Sequence, residues 1–367
     1  MIGADSFSSS YSEAREKFLE AVAAVGGSPE SFKHPGSGPG GEELATDAAW
    51  FGPSDASRVL VLISGVHGVE GYCGSGAQVD WLRREEFKAL PTDTSVLMIH
   101  AVNPYGFAWT RRTNEDNVDL NRNWVDFSKP LPQNPGYLEL AESLCPTEWS
   151  SEAQERSTRE LDEWQASRGA QGWSDFRQAV TQGQYTHPLG LFFGGDGPSW
   201  SRRTQTAIYQ KYFARAKRVG VIDYHTGLGP YGYAERLTLF PPEDPRFKRA
   251  ATWFGAAVTS TKSGTSASKD ISGDNITGSA AQLPHAEFTG IGFEVGTAPT
   301  PQVLQALRAD AWLHAYGDPQ SELGRQIKAQ MRAAFYCETD YWKGMVAGQS
   351  LIACRQALAG LSLQADV

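Results

Sequence analysis

Cysteine is scarce in this chain. Cys73, Cys145, Cys337 and Cys354 stand far apart and form no C-x-x-C pair, which argues against a zinc site built from sulfur ligands. A chain this long buries enough surface to do without cross-links, so free thiols are expected. No apolar run is long enough to cross a bilayer, and the opening residues MIGADSFSSSYSEAREKF lack the basic start and apolar core of an export signal. The expectation is a soluble, cytoplasmic protein with no membrane partner. The net charge is −9 and the Lys and Arg residues form no basic stripe, so the electrostatic footprint of a nucleic-acid binder is missing. There is no G-x-S-x-G elbow and no H-E-x-x-H helix, which removes the common serine-hydrolase and helical zinc-protease designs.

What is present is a globular composition, 40% apolar and 20% charged, with aromatic residues spread from end to end. One elaborated α/β domain over residues 1–367 is expected. Tyr11 to Ala24 has helical apolar spacing at Phe18, Leu19, Val22 and Ala23. The loop GSGPGG that follows His34 satisfies G-x-G-x-x-G. Pro39 sits inside it, no strand pattern precedes it and no helix pattern follows, so it reads as a decoy for a dinucleotide site.

Four runs, RVLVLISG from Arg58, SVLMIHAVNP from Ser95, RVGVIDYHTG from Arg218 and TGIGFEVGT ending at Thr297, are continuous and β-branched. That is the signature of strands buried on both faces of a largely parallel sheet. Helical patterns lie between them, so a mixed, mostly parallel open sheet flanked by helices is expected, with ligands gathering beyond the carboxyl ends of the strands. His67, Asn103, His225 and Glu294 fall at or just after such ends. Residues 130–217 read as a long helical insertion able to form a wall or lid. Residues 301–367 read as a helical tail broken near Gly317 and Thr339.

In SGVHGVEGYCGSG, His67 and Glu70 stand three apart where a buried strand turns into a helix, so both side chains can face one point. Imidazole and carboxylate both suit zinc, and two His plus one Glu leave a fourth position for water. The third ligand belongs on another strand end, where His225 in VIDYHTG is the best placed. His100 lies inside a strand, His187 precedes a proline, and His34, His285 and His314 lack strand-end context. A lone histidine is usually structural, and one H-x-x-E match is weak. What raises it is the ordered company of NPYGFAWTRR, VDLNRNW, DYHT and FEVGT.

From Val59 to Thr297 these segments resemble the zinc carboxypeptidase family, whose pattern is an H-x-x-E pair, N-P-x-G, D-L-N-R-N, a strand-end His and a late Glu. The resemblance implies one zinc ion held by His67, Glu70 and His225, with Glu294 as general base toward the attacking water. It also implies that Asp119 orients a ligand histidine, and that Asn121 and Arg122 hold a substrate carboxylate. An arginine that polarises the scissile carbonyl comes from the pair Arg111 and Arg112; Arg112 is chosen, with Arg111 left as a substrate-binding group. The implied substrate is a peptide cleaved next to its terminal carboxylate, or, as in the aspartoacylase branch, an N-acyl amino acid. A catalytically inactive zinc-binding homologue is the alternative from another class, against which the retained Glu294 speaks. The family's digestive members carry a mobile tyrosine before the last Glu, and none lies between Ala234 and His314 here. The oligomeric state is left open by the sequence.

Overall fold

In the computed structural model, which describes residues 3–363, one sheet runs through the chain. Its strands are β1 (Glu30–Ser37), β2 (Glu43–Phe51), β3 (Arg58–Ile63), β4 (Thr94–His100), β5 (Arg218–Tyr231), β6 (Ala234–Thr238), β7 (Val258–Ser260) and β8 (Glu287–Gly296). Their order across the sheet is β1-β2-β4-β3-β5-β8-β6-β7. The central four, β4, β3, β5 and β8, are mutually parallel, while β1/β2, β2/β4 and β6/β8 pair antiparallel. The expected mixed, mostly parallel open sheet is what forms.

The helices are α1 (Tyr11–Ala24), α2 (Gly71–Arg83), α3 (Pro104–Ala108), α4 (Pro135–Leu144), α5 (Ser151–Ala166), α6 (Gly172–Thr181), α7 (Trp200–Tyr212), α8 (Pro245–Phe254), α9 (Asn275–Gln282), α10 (Thr300–Tyr316), α11 (Glu322–Phe335) and α12 (Asp340–Ser362). No described helix is long and apolar enough to cross a membrane. The four cysteines are free.

Because side chains alternate along a strand, the apolar runs feed two cores. Leu60, Leu62, Val96, Met98, Ile222, Tyr224, Ile291 and Phe293 pack with residues of α1, α2, α8 and α12 on one face. Val59, Val61, Ile63, Leu97, Ile99, Val219, Val221 and Phe288 pack with residues of α7 and α9 on the other. The second face turns polar at the carboxyl ends of the strands, where Asp223 and His225 continue the parity of Val219 and Val221, and Glu294 that of Phe288. A third core joins insertion helices α4, α5 and α6 to α10 and α11, and reaches Val69 beside the H-x-x-E turn.

The GSGPGG loop corrects one expectation. A strand does precede it: it lies where β1 turns into antiparallel β2. No helix follows, so no helix N-terminus is there to receive a phosphate.

Candidate metal centre and cleft

After β3 the chain turns through Gly65, whose φ of +67° suits glycine, and passes through a short 3₁₀ turn, Gly68–Glu70, into α2. A Cβ on Gly68 would lie 1.9 Å from the carbonyl carbon of Gly106, so the turn and the N-P-x-G segment touch backbone to backbone. The Gly68 and Val69 amides donate to the Arg112 and Arg111 carbonyls at 3.1 and 2.9 Å. On the other side, Asn103 caps α3 by accepting from the Gly106 amide at 2.8 Å, with Pro104 in the first turn. The two motifs are therefore one structural unit, which explains why small residues recur in both.

This unit aims His67 and Glu70 at His225 of β5. His67 Nδ1 lies 2.9 Å from Glu70 Oε1, His225 Nδ1 lies 2.8 Å from Glu70 Oε2, and the two Nδ1 atoms are 3.2 Å apart. All three residues are buried. A tetrahedral ion with bonds of ~2.0–2.1 Å holds its donors roughly 3.3 Å apart; the two Nδ1 atoms match that spacing, and the carboxylate, which meets each ring through a different oxygen, stands closer, at hydrogen-bond distance. The outer nitrogens supply a stronger test. His67 Nε2 faces Asp119 Oδ1 at 3.2 Å, and His225 Nε2 faces Asp223 Oδ2 at 3.2 Å. With each Nε2–H donated to its carboxylate, both Nδ1 lone pairs and the Glu70 carboxylate converge on one point with no donor among them. That donor set is complementary to a cation, and carboxylate-backed histidines are the usual way such rings are oriented.

The charges around the point are strongly perturbed. Burial opposes ionisation of Glu70, yet His67 and His225 outweigh it and hold its pKa below the usual carboxylate range. Burial likewise opposes charge on His225, but Asp223 and Glu70 raise its pKa well above the ordinary histidine value. Glu294, at the end of β8, is pushed up to about 8 by burial and by the adjacent Glu70 charge, partly offset by His225 and by the Leu228 amide, which donates to its Oε1 at 3.0 Å. A carboxyl tuned to that range is suited to exchanging protons near neutral pH.

The arginines divide cleanly. Arg112 lines the cleft; its Nε donates to Asp119 Oδ2 at 2.9 Å and its Nη1 to Glu70 Oε1 at 3.3 Å. Arg122 also lines the cleft and is 3% exposed, but its donors go to the carbonyls of Thr181 and Asn121, and among the described residues it has no ion-pair partner. Burial lowers its pKa, while the charges of Asp119 and Asp274 favour it from beyond contact distance, so a ligand carboxylate at the cleft would give the guanidinium a direct partner. Asn121 lines the cleft beside it, its Oδ1 fixed by the Asn275 amide at 2.7 Å. Arg111 is not in the cleft lining: its Nη2 donates to Asn117 Oδ1 at 2.8 Å and its Nε lies 3.6 Å from Asp310, so the structure gives it a supporting place behind Arg112.

The cleft encloses about 1080 Å³, part of it open to solvent. The insertion does form a wall, with Trp173, Phe176, Arg177, Val180 and Thr181 of α6 and Phe192 beyond it. The polar stretch before Glu294 contributes Ser268, Lys269 and Ile271, and no tyrosine lines the cleft among the described residues. Two features escaped sequence reasoning. Asp223, two residues before His225, shares its strand face, a spacing that could have disclosed its role. Phe192 has a left-handed backbone, φ 54°, and its ring lies 5.1 Å from the Arg112 guanidinium and 5.4 Å from that of Arg122. LGLFFGG carries no signal for that.

A family model described as a protein of unknown function, DUF2817, matches residues 7–349. No curated protein matches the sequence. Among solved structures the chain is similar to carboxypeptidase A from Helicoverpa armigera, at 13% identity over 89% of this chain and 74% of that one, with a TM-score of 0.46. It is also similar to a metallo-carboxypeptidase from Pseudomonas aeruginosa, at 12% identity over 93% and 69%, TM-score 0.42. A third is the murein-tripeptide amidase MpaA from Escherichia coli O157, at 15% identity over 80% and 94%, TM-score 0.34.

Proposed function

Since the chain belongs to the DUF2817 family, whose description assigns no chemistry, we propose its function from the site: a hydrolase dependent on one zinc ion that cleaves an amide bond next to a carboxylate-bearing residue. The observation that carries this reading is the convergence of His67, Glu70 and His225, each histidine backed by its own carboxylate, beside the buried carboxyl of Glu294.

The chemistry an ion supplies at such a site is Lewis acidity, which brings the pKa of a water toward ~7. Glu294 takes the proton from the attacking water and returns it to the departing amine. Arg112 stabilises the negative charge that develops on the carbonyl oxygen. Arg122 and Asn121 hold the substrate carboxylate, the guanidinium through its planar fork and the amide through its free Nδ2. The substrate is a peptide with a free terminal carboxylate or, as the second reading, an N-acyl amino acid; no tyrosine lines the cleft among the described residues.

The test measures metal content beside hydrolysis of a panel of peptides, N-acyl amino acids and esters, with product analysis. We expect about one zinc per chain, release of free amino acids, and loss of turnover with a chelator that zinc restores. Turnover that persists after complete metal removal overturns the reading.

A further inference from the structure

Two elements that carry none of the motifs present apolar stripes to the cleft. On α6 the stripe contains Trp173, Phe176 and Val180; on α10 it contains Val303, Leu304 and Leu307. The spacings fit one helix face in each case. The α6 stripe spans about 10 Å of helix and the α10 stripe about 6 Å. Phe176, Val180, Val303 and Leu307 belong to one packed core, so the walls are preformed.

Trp173 at the rim is 48% exposed and stacks on Phe176, with centroids 6.0 Å apart and planes 21° apart. The apolar surface therefore runs unbroken from solvent to the cleft, the arrangement that marks a ligand surface. Arg177, within the same stripe, donates to the Ala267 carbonyl and so is tied to the cleft's other wall.

The position of α10 says which half of a substrate it meets. It starts shortly after Glu294, and Leu307 shares a neighbouring crevice with Arg112 and Phe192. It thus lies by the arginine assigned to the carbonyl. The carboxylate end belongs to Arg122 and to Asn121, which is fixed to α9. Arg122 is also bonded to the Thr181 carbonyl at the end of α6, so the α6 stripe begins at the carboxylate end, and the stripe that meets the acyl half is that of α10.

We propose that this cleft selects amides whose acyl half is a large apolar group, an alkanoyl chain or an apolar peptidyl group, seated along the stripe of α10, while the α6 stripe flanks the carboxylate-bearing residue. The proposal rests on the amide-hydrolase reading and names its substrate class.

The zinc-loaded enzyme is assayed with one amino acid carrying acetyl, butanoyl, octanoyl and dodecanoyl groups, and with a parallel series of glycyl and leucyl peptidyl groups. Each buried methylene is worth about fourfold, so kcat/KM is expected to rise by at least about a hundredfold from acetyl to octanoyl, or comparably along the peptidyl series. The series that rises identifies the source. Leu304→Asp, at a half-buried position of α10, lowers the octanoyl-to-acetyl ratio at least about tenfold, whereas Trp173→Ser on α6 leaves that ratio within about twofold. Rates that are flat along both series overturn the proposal and leave the hydrolase reading intact. If no amide is cleaved at any length, that reading fails, and calorimetry with zinc-loaded Glu294→Gln decides the subsite by itself. Tighter binding of the dodecanoyl than the acetyl compound, with a negative heat-capacity change, supports it, and equal binding overturns it.

Discussion

His225 and Glu294 are register partners on adjacent parallel strands, β5 and β8. The proposed metal ligand and the proposed proton acceptor are thereby both fixed on central strands of the sheet, and neither depends on a loop for its position. Glu294→Gln keeps the shape and removes the base. The expected outcome is retained zinc with turnover lowered by about 10²–10⁴-fold, checked by metal analysis of the same sample used for kinetics. Near-normal turnover would remove Glu294 from the mechanism.

Asp223 does for His225 what Asp119 does for His67, and its charge also decides how zinc competes with protons. Asp223 and Glu70 raise the His225 pKa well above the ordinary value despite burial. Below that pKa the metal-free site carries a proton that must leave before Nδ1 can bind zinc. Zinc affinity therefore falls as pH falls through neutrality, by about tenfold per unit for one displaced proton. Asp223→Asn should weaken zinc about 10–100-fold at high pH and shift the onset of this slope to lower pH. Competition against a chromophoric chelator across several pH values reads both effects; superimposable curves for the two proteins would refute the assignment.

Arg122 lacks a carboxylate partner among the described residues, so its contribution should appear only with an anionic substrate. Arg122→Lys keeps a donor for the Thr181 carbonyl while losing the fork. With a carboxylate-bearing amide, kcat/KM should drop by roughly 10–150-fold, the equivalent of about 1.5–3 kcal/mol for a charged hydrogen bond. The same amide with its carboxylate capped should respond far less. An equal drop on both would mean that the residue supports the fold of the cleft and does not hold the anion.

How legible this was depended on burial. The four strands read from the sequence are the four central ones, because β3, β4, β5 and β8 are covered on both faces and so read as continuous apolar runs. β1, β2, β6 and β7 lie toward the sheet edges, where the residue pattern follows local partners. The ELATDAAWF of β2 carries a buried Asp47, bonded to Arg15, that breaks any apolar run. Tyr11–Ala24 and the tail breaks at Gly317 and Thr339 were readable from periodicity and caps. The meeting of His67, Glu70 and His225 was readable because ordered motifs persist, but the place of Arg111 was not. Arg111 and Arg112 are adjacent in sequence, and only packing against Asp310 and Asp119 sends one to the supporting network and the other to the cleft. The α6 stripe was present as periodicity in the insertion, yet nothing local says that it faces a metal centre.

His100 makes a prediction about stability, independent of catalysis. Its ring is fully buried, stacked on Phe18 with centroids 4.5 Å apart and planes 11° apart, with Nε2 2.9 Å from Ser75 Oγ. Burial lowers its pKa from 6.5 to about 4. Between those values the unfolded chain binds a proton that the folded chain refuses, so the histidine's contribution is complete above about pH 6.5 and is lost as pH falls toward 4. The loss at the acid end is on the order of 3 kcal/mol. His100→Gln should destabilise the protein at pH 7.5, roughly the upper plateau, through lost packing. The gap to the parent should then narrow as the pH is lowered, because Gln has no proton to bind. Denaturant unfolding of both proteins at several pH values checks it. Parallel curves would show that His100 carries its proton in the folded state as readily as in the unfolded one.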